Sequence, residues 1–342
     1  MKTVLLIAAG SLAACNMGDR LANDGECPDN QHCSSLVTGL TFTGNTPADT
    51  LFTSGPLPTA IGGTQDVLLE YDPTGGGAFV PLDLPYDAEL AGDRGVEVVG
   101  TDGPTVTLRG IDATSNLLRI VDANDGSLFD QKTIAGGAIS TISLVPGLFD
   151  LVPVTGPIAF APGNVSIGVA LENAAGDRLI DSSMTLDLAG STRTAWDTVR
   201  LSAAAVGTTS LTVTAGDQPA RSIDVVIADT ADAIELSDAL GPIDHLTLGV
   251  STAVCFIARA SGRQIYGLSD WAFTTDNGTV APAGGSCVSI KATTLGTVNI
   301  GAHAGGHDET FAFSAIAQAK PTAARVAPAF VTPEGDRLRM AR

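Results

Sequence analysis

The chain has 342 residues, 44% of them apolar and 5% aromatic, with 39 Gly, 18 Pro and a net charge of −19. The apolar fraction excludes wholesale disorder, the acidity excludes a phosphate-gripping nucleic-acid face, and so few aromatics leave little for a base- or sugar-stacking platform. Glycine and proline without a three-residue period suit many short strands joined by turns, and the length holds two or three domains.

Residues 1–15 read MKTVLLIAAGSLAAC. Lys2 is a minimal positive region, and the apolar stretch 4–14 is too short to cross a hydrocarbon core, which needs about 20 helical residues. It therefore reads as a cleaved export signal. Leu12-Ala13-Ala14-Cys15 resembles the lipobox of bacterial lipoproteins. That resemblance implies lipidation of Cys15 as the first residue of the mature chain, and Asn16 beside it implies the outer membrane. Loss of Lys2 takes the charge to −20, so the body stays well solvated while several acyl chains hold it at a membrane.

Residues 16–35 are polar and rich in Asn, Asp and Gly, and read as a tether. With Cys15 assigned to lipid, four cysteines remain: Cys27, Cys33, Cys255 and Cys287. They can pair in three ways; proximity favours Cys27–Cys33 and Cys255–Cys287, in an oxidising compartment. For the second pair the strand period places both side chains on the outer face of adjacent strands, because Val254, Phe256, Val288 and Ile290 point inward.

Three windows, residues 105–134, 198–227 and 287–316, align without a gap. Val106, Val199 and Val288 share a column, as do Leu108, Leu201 and Ile290, and Leu118, Leu211 and Ile300. Each window closes on Ile134, Ile227 or Ile316. An alternating run precedes each, at 65–71, 165–171 and 253–258. A unit of about 90 residues with short alternating strands is the size of a two-sheet sandwich.

In the third unit, Trp271-Ala272-Phe273-Thr274-Thr275-Asp276-Asn277, then Val280-Ala281, then Gly296-Thr297-Val298-Asn299-Ile300, resembles bacterial Ig-like domains of the BIG2 type. The second unit keeps Gly207-Thr208-Thr209-Ser210-Leu211; the first carries Thr114-Ser115-Asn116 where Gly-Thr is expected. The expected fold is all-β, with three tandem Ig-like β-sandwich domains after a lipidated tether. The expected divisions are a signal peptide (1–14), tether (15–35), Ig-like domains at 36–140, 141–232 and 233–319, and a tail (320–342). Short connections between the domains should limit bending without abolishing it. The tail holds Lys320, Arg325, Arg337, Arg339 and Arg342 against Glu334 and Asp336, and reads as a solvated segment or a contact with the acidic body.

Signatures of common chemistry are missing from the sequence: there is no Gly-x-Ser-x-Gly elbow, no Gly-Lys pair for a P-loop, and no His-Glu-x-x-His. The nearest metal constellation is His303, His307 and Asp308, a weak set because Gly305-Gly306 opposes the helix that would align both imidazoles; the run reads as a hairpin tip. Asp122-Ala123-Asn124-Asp125-Gly126-Ser127 has its glycine one place early for a calcium loop and reads as a turn. No catalytic residue, cofactor or metal is expected. The expected function is a membrane-anchored, non-catalytic spacer or adhesion module of the envelope or cell surface, facing the periplasm or the exterior. Its partners are the membrane, through the lipid, and a protein or surface glycan. The rival readings are an accessory subunit joined through sandwich edge strands and a metal-dependent envelope hydrolase using His303, His307 and Asp308.

Overall fold

Strands that bury one face carry apolar residues at every second position, and all three alternating runs obey this. The computed structural model describes residues 40–48, 55–73, 78–147, 152, 154, 156–163, 165–202, 204–238 and 240–318. The export signal, Cys15, Cys27, Cys33 and the tail from 319 lie outside the described residues.

The first sandwich comprises β1 (Leu40–Thr43), β2 (Thr59–Ala60), β3 (Thr64–Tyr71), β4 (Val80–Pro81), β5 (Tyr86–Leu90), β6 (Val96–Asp102), β7 (Thr105–Gly110), β8 (Ser115–Asp122) and β9 (Leu128–Gly137). The second comprises β10 (Thr141–Pro146), β11 (Ile158–Phe160), β12 (Val165–Glu172), β13 (Arg178–Leu179), β14 (Thr185–Leu188), β15 (Ser191–Ala195), β16 (Thr198–Leu201), β17 (Gly207–Thr214) and β18 (Arg221–Ile227). The third comprises β19 (Ala233–Leu236), β20 (His245–Thr247), β21 (Ser251–Ala260), β22 (Arg263–Tyr266), β23 (Ala272–Thr275), β24 (Thr279–Gly284), β25 (Cys287–Lys291), β26 (Gly296–Ala304) and β27 (His307–Ile316). The fold is thus all-β and Ig-like, three sandwiches in tandem.

One sheet of the first sandwich runs β1-β3-β7-β6 and the other β2-β9-β8-β5. The second repeats the first order as β10-β12-β16-β15, and the third repeats the other as β20-β27-β26-β23. At the centre of each sandwich the same two columns meet across a ladder: Val67 opposite Val106, Ile167 opposite Val199, Val254 opposite Val288. All six are at most 1% exposed, so the repeated valines are the floor of three separate cores.

The closing column departs from the gapless alignment. Ile134 lies opposite Asn116, Val225 opposite Thr209, and Phe313 opposite Val298. Those are the equivalent inward positions, and all three side chains are buried. Ile316 therefore falls on the outward face and is 42% exposed, whereas Ile134 and Ile227 are buried. Turn length is the cause. The second repeat spends residues 215–220 between β17 and β18, while the third turns on Gly305-Gly306 alone. A closing strand shifted by one residue changes which face each side chain takes.

The strand next to the central pair ends one sheet in every repeat, and each of these edges is bulged. Register shifts occur at Val98/Gly100 in β6, at Arg193/Ala195 in β15 and at Pro282/Gly284 in β24. Bulges kink an edge and break its regular row of donors and acceptors, which opposes strand addition.

Candidate functional site

His303 pairs with Asp308, and Ala304 with His307, across the β26–β27 ladder. Directly opposed residues share a face and successive residues alternate, so the two imidazoles point to opposite sides of the hairpin. His303 Nδ1 lies 2.9 Å from Asp308 Oδ1, and His307 Nε2 lies 3.6 Å from Glu309 Oε2. Each histidine has its own carboxylate, and they do not converge on one ion. Gly305 and Gly306, at φ +55° and +71°, make the two-residue tip that forces this geometry. The Asp122 run is also a turn: Asp122 Oδ1 accepts the Asn124 backbone N–H at 2.7 Å, and Asp125 Oδ1 accepts that of Ser127 at 2.8 Å. Those carboxylates are occupied by their own backbone.

Cys255 and Cys287 sit directly opposite each other on β21 and β25 and form a disulfide, with Cα atoms 4.0 Å apart. They lie on the face away from the Val254–Phe256 core, as the strand period requires. The face is not exposed, however. Both cysteines are buried in a small cluster with Ile257 and Val152, the latter from the second sandwich's β10–β11 connection. Sequence periodicity gave the face of the sheet, and long-range packing covers it.

The contacts that give the chain its shape lie between the sandwiches. At the first junction β2 lends itself to the second sandwich. Ala60 N donates to Ile180 O at 2.8 Å, and Ile180 N donates to Pro58 O at 2.9 Å. Ala60 belongs to the second core, as does Ile139 just past β9. The centre of this junction is Asp181, fully buried. Its Oδ1 accepts the backbone N–H of Thr64 at 3.1 Å and of Ser183 at 3.0 Å, and the Ser183 hydroxyl. Its Oδ2 accepts the Gly216 N–H at 2.7 Å. One side chain thus ties the first sandwich to two loops of the second, with its oxygens satisfied as a buried polar group requires. Gly216 is at φ +52°, and a Cβ there would lie 2.2 Å from the Ile61 carbonyl oxygen, so only glycine lets the loop approach so closely.

A second carboxylate works on the same side. Asp197 Oδ2 accepts the Ala48 N–H at 2.7 Å, and Thr198 donates its hydroxyl to Oδ1 at 2.9 Å. Within the first sandwich, Asp130 Oδ2 accepts the Leu40 N–H at 2.7 Å and holds the start of β1. Burial pushes both the Asp130 and Asp197 carboxyls up from the ordinary carboxylate range, against the lowering pull of these hydrogen bonds.

The second junction is a sheet. β11 pairs in parallel with β18 of its own sandwich and with β22 of the next, matching Ile158, Ala159 and Phe160 to Gln264, Ile265 and Tyr266. The sheet β14-β17-β18-β11-β22-β21-β25-β24 therefore runs through two sandwiches without a break. Ala159, Ala161 and Ile265 form a buried cluster there, with Ala228, Ala231 and Leu268 packed on it. Beside it is a cavity of about 360 Å³ whose lining includes Val152, Ile257, Tyr266 and Trp271. Among the described residues that line it there is no carboxylate, imidazole or amine, so these residues offer apolar contact and hydroxyl or amide hydrogen bonds.

Neither junction was foreseen from the sequence. Asp181 follows Leu179-Ile180 but lies among Asp177, Arg178, Ser182, Ser183 and Asp187, so nothing local marks it as a buried acid.

No protein-family model matches the chain, and no curated protein matches it in sequence. Among solved structures, the Escherichia coli adhesin FdeC is similar over 81% of this chain and 96% of its own, at 14% identity and a TM-score of 0.21. The S-layer protein SbsC is similar over 74% of this chain and 38% of its own, at 13% identity and a TM-score of 0.24. An endo-fucoidan hydrolase of glycoside hydrolase family 107 is similar over 81% of this chain and 45% of its own, at 14% identity and a TM-score of 0.24.

Proposed function

We propose that this chain is a lipid-anchored rod of the bacterial envelope or cell surface, a non-catalytic spacer that carries a docking or adhesion surface away from the membrane. The observation that carries the reading is where the chain enters and leaves. Leu40 pairs with Tyr71, whereas Thr64, at the other end of β3, receives the Ser182 N–H of the second sandwich. The chain therefore enters at the end of the first sandwich farthest from the second. It leaves through Ile316, which pairs with Thr247, while the opposite tip of β26–β27 contacts Ala231 near the second sandwich through the Gly305 carbonyl. Entry and exit lie at opposite ends of three sandwiches whose junctions are backbone-bonded. By strand-length arithmetic such a rod extends on the order of 100 Å.

Two further features support the non-catalytic part: the opposed histidines, and a junction cavity whose described lining residues carry no titratable group other than tyrosine. Bulges at β6, β15 and β24 count against the accessory-subunit reading at those edges. Lipidation of Cys15, the outer-membrane address and the BIG2-type kinship belong to this proposal.

The experiment is a comparison in cells. Cys15→Ala should release the protein from the membrane fraction, and excising residues 141–232 should shorten the reach of a C-terminal epitope. His303→Ala with His307→Ala should leave cellular function unchanged. Loss of an activity in the double histidine variant, with folding and anchoring intact, would replace this reading with the enzyme.

A further inference from the structure

The three sandwiches end in equivalent ways, but only two of those ends are covered. The turn between the parallel edge strand and the long strand after it recurs at 61–63, from 161 onward, and at 248–250. In the first, Ile61 O accepts the Asp217 N–H of the second sandwich at 3.2 Å. In the second, Ala161 N donates to Tyr266 O of the third sandwich at 2.7 Å. In the third, the three donors bond within the same sandwich: Leu248 to Ile316 O, Gly249 to Ala292 O and Val250 to Thr247 O.

Exposure follows this division at the turn and at the chain exit, but not in the loop before the long hairpin, where Val206, the second repeat's counterpart of Leu295, is 56% exposed. Where the chain leaves the first sandwich, Ile139 is buried in the second core, and Ala161 at the second junction is buried as well. At the free end Val250 is 40% exposed, Leu295 58% and Ile316 42%. These residues gather at one end of the sandwich because Thr247 pairs with Ile316, Ser251 with Lys291, and Gly296 with Ala315. The fold thus presents an apolar junction surface with no fourth sandwich among the described residues.

We propose that residues 325–331 of this chain, Arg-Val-Ala-Pro-Ala-Phe-Val, fold back onto that end and cover Val250, Leu295 and Ile316. The described chain stops at Gln318, two residues past Ile316, so whatever follows starts at the patch. Phe330 lies fourteen residues beyond Ile316, and that span reaches some 45 Å when extended, ample for a return. Tethering holds the segment at an effective concentration in the millimolar range, where a weak apolar contact is enough. Residues 320–342 carry five cations against two acids, on a chain whose net charge is −19, so electrostatics draws the segment inward. Pro328 and the alternation of Val326 and Phe330 with small residues suit an extended strap rather than a helix.

The test uses the mature chain carrying Cys15→Ala, with methyl-labelled Val, Leu and Ile. A nitroxide on Thr332→Cys should broaden the methyl signals of Val250, Leu295 and Ile316 while sparing Val67 and Val213 in the other cores. Phe330→Asp should abolish that broadening and shift the Val250 methyls as ending the chain at Gln318 does. Undiminished broadening in Phe330→Asp, or none in the parent, overturns the proposal. Broadening that arises only when spin-labelled chains are mixed with separate isotope-labelled chains also overturns it, because the occupant is then a second copy.

Discussion

The two junctions reach the same end by opposite chemistry. The first adds a buried carboxylate to its backbone bonds: Asp181 gathers N–H groups from Thr64, Ser183 and Gly216, Ala60 and Ile180 bond across the junction, and Ala60 and Ile139 join the second core. At the second, no carboxylate among the described residues plays this part; a parallel strand pair carries the sheet through, and Ala159, Ala161 and Ile265 seal it. A polar bolt is directional but depends on every donor staying paired, because each unpaired buried group costs about 1–3 kcal/mol. A fused sheet spreads its contribution over several backbone bonds and apolar contacts, so single losses are milder. The first junction should therefore be the more brittle.

The largest expected effect is at the bolt. Asp181→Ala leaves three backbone donors without their acceptor and should destabilise the first junction by about 3–5 kcal/mol, seen as an early separate transition in urea. Next is the disulfide. Replacing Cys255 and Cys287 together with Ala opens a loop of 32 residues and should lower the third sandwich by about 3–4 kcal/mol, leaving the first junction untouched. Ile265→Ala removes a buried anchor of the fused sheet and should cost about 2–4 kcal/mol, loosening the second junction only. Equal effects of Asp181→Ala and Ile265→Ala on both junctions would erase the distinction between bolt and sheet.

The smallest effect is on pH dependence. Asp130 and Asp197 have carboxyls raised by burial, so the folded chain takes up their protons before the unfolded chain does. Their contribution to stability accordingly grows as pH falls from neutral through those raised values. Asp112 and Asp276 run the other way. The Thr114 hydroxyl and the Gly95 N–H hold Asp112 low, and the backbone and side-chain N–H groups of Asn299 hold Asp276 low. Their contribution is present above about pH 4 and is lost as pH falls through the lowered values. Asp197→Asn should flatten the mildly acid part of the stability profile and leave the strongly acid decline in place, as followed by denaturation at stepped pH.

Much of each sandwich was legible in the sequence because strand period and core burial are local. Val106, Val199 and Val288 sit where their columns place them, the Cys255–Cys287 pair forms, and the Asp122 and Gly305-Gly306 runs are turns. What was not legible depends on distance. Asp181 meets Thr64 across 117 residues, and no spacing rule connects them. The cover over Cys255 comes from Val152, in another sandwich. Ile316 lost its column to a difference in turn length that a gapless alignment hides. Linker length alone implies connections that still bend; the backbone bonds across both junctions, which no linker length reveals, argue for stiffer joints.

Arg109, Ser202 and Lys291 occupy one column of the three repeats and are exposed, so spin labels there report each junction separately. Double electron–electron resonance between positions 109 and 202, and between 202 and 291, tests the rod most directly. The account predicts one narrow distance distribution for each pair, with Asp181→Ala broadening only the first and Ile265→Ala only the second. Broad distributions for both pairs in the otherwise unaltered chain would contradict it and return the molecule to three sandwiches on flexible links.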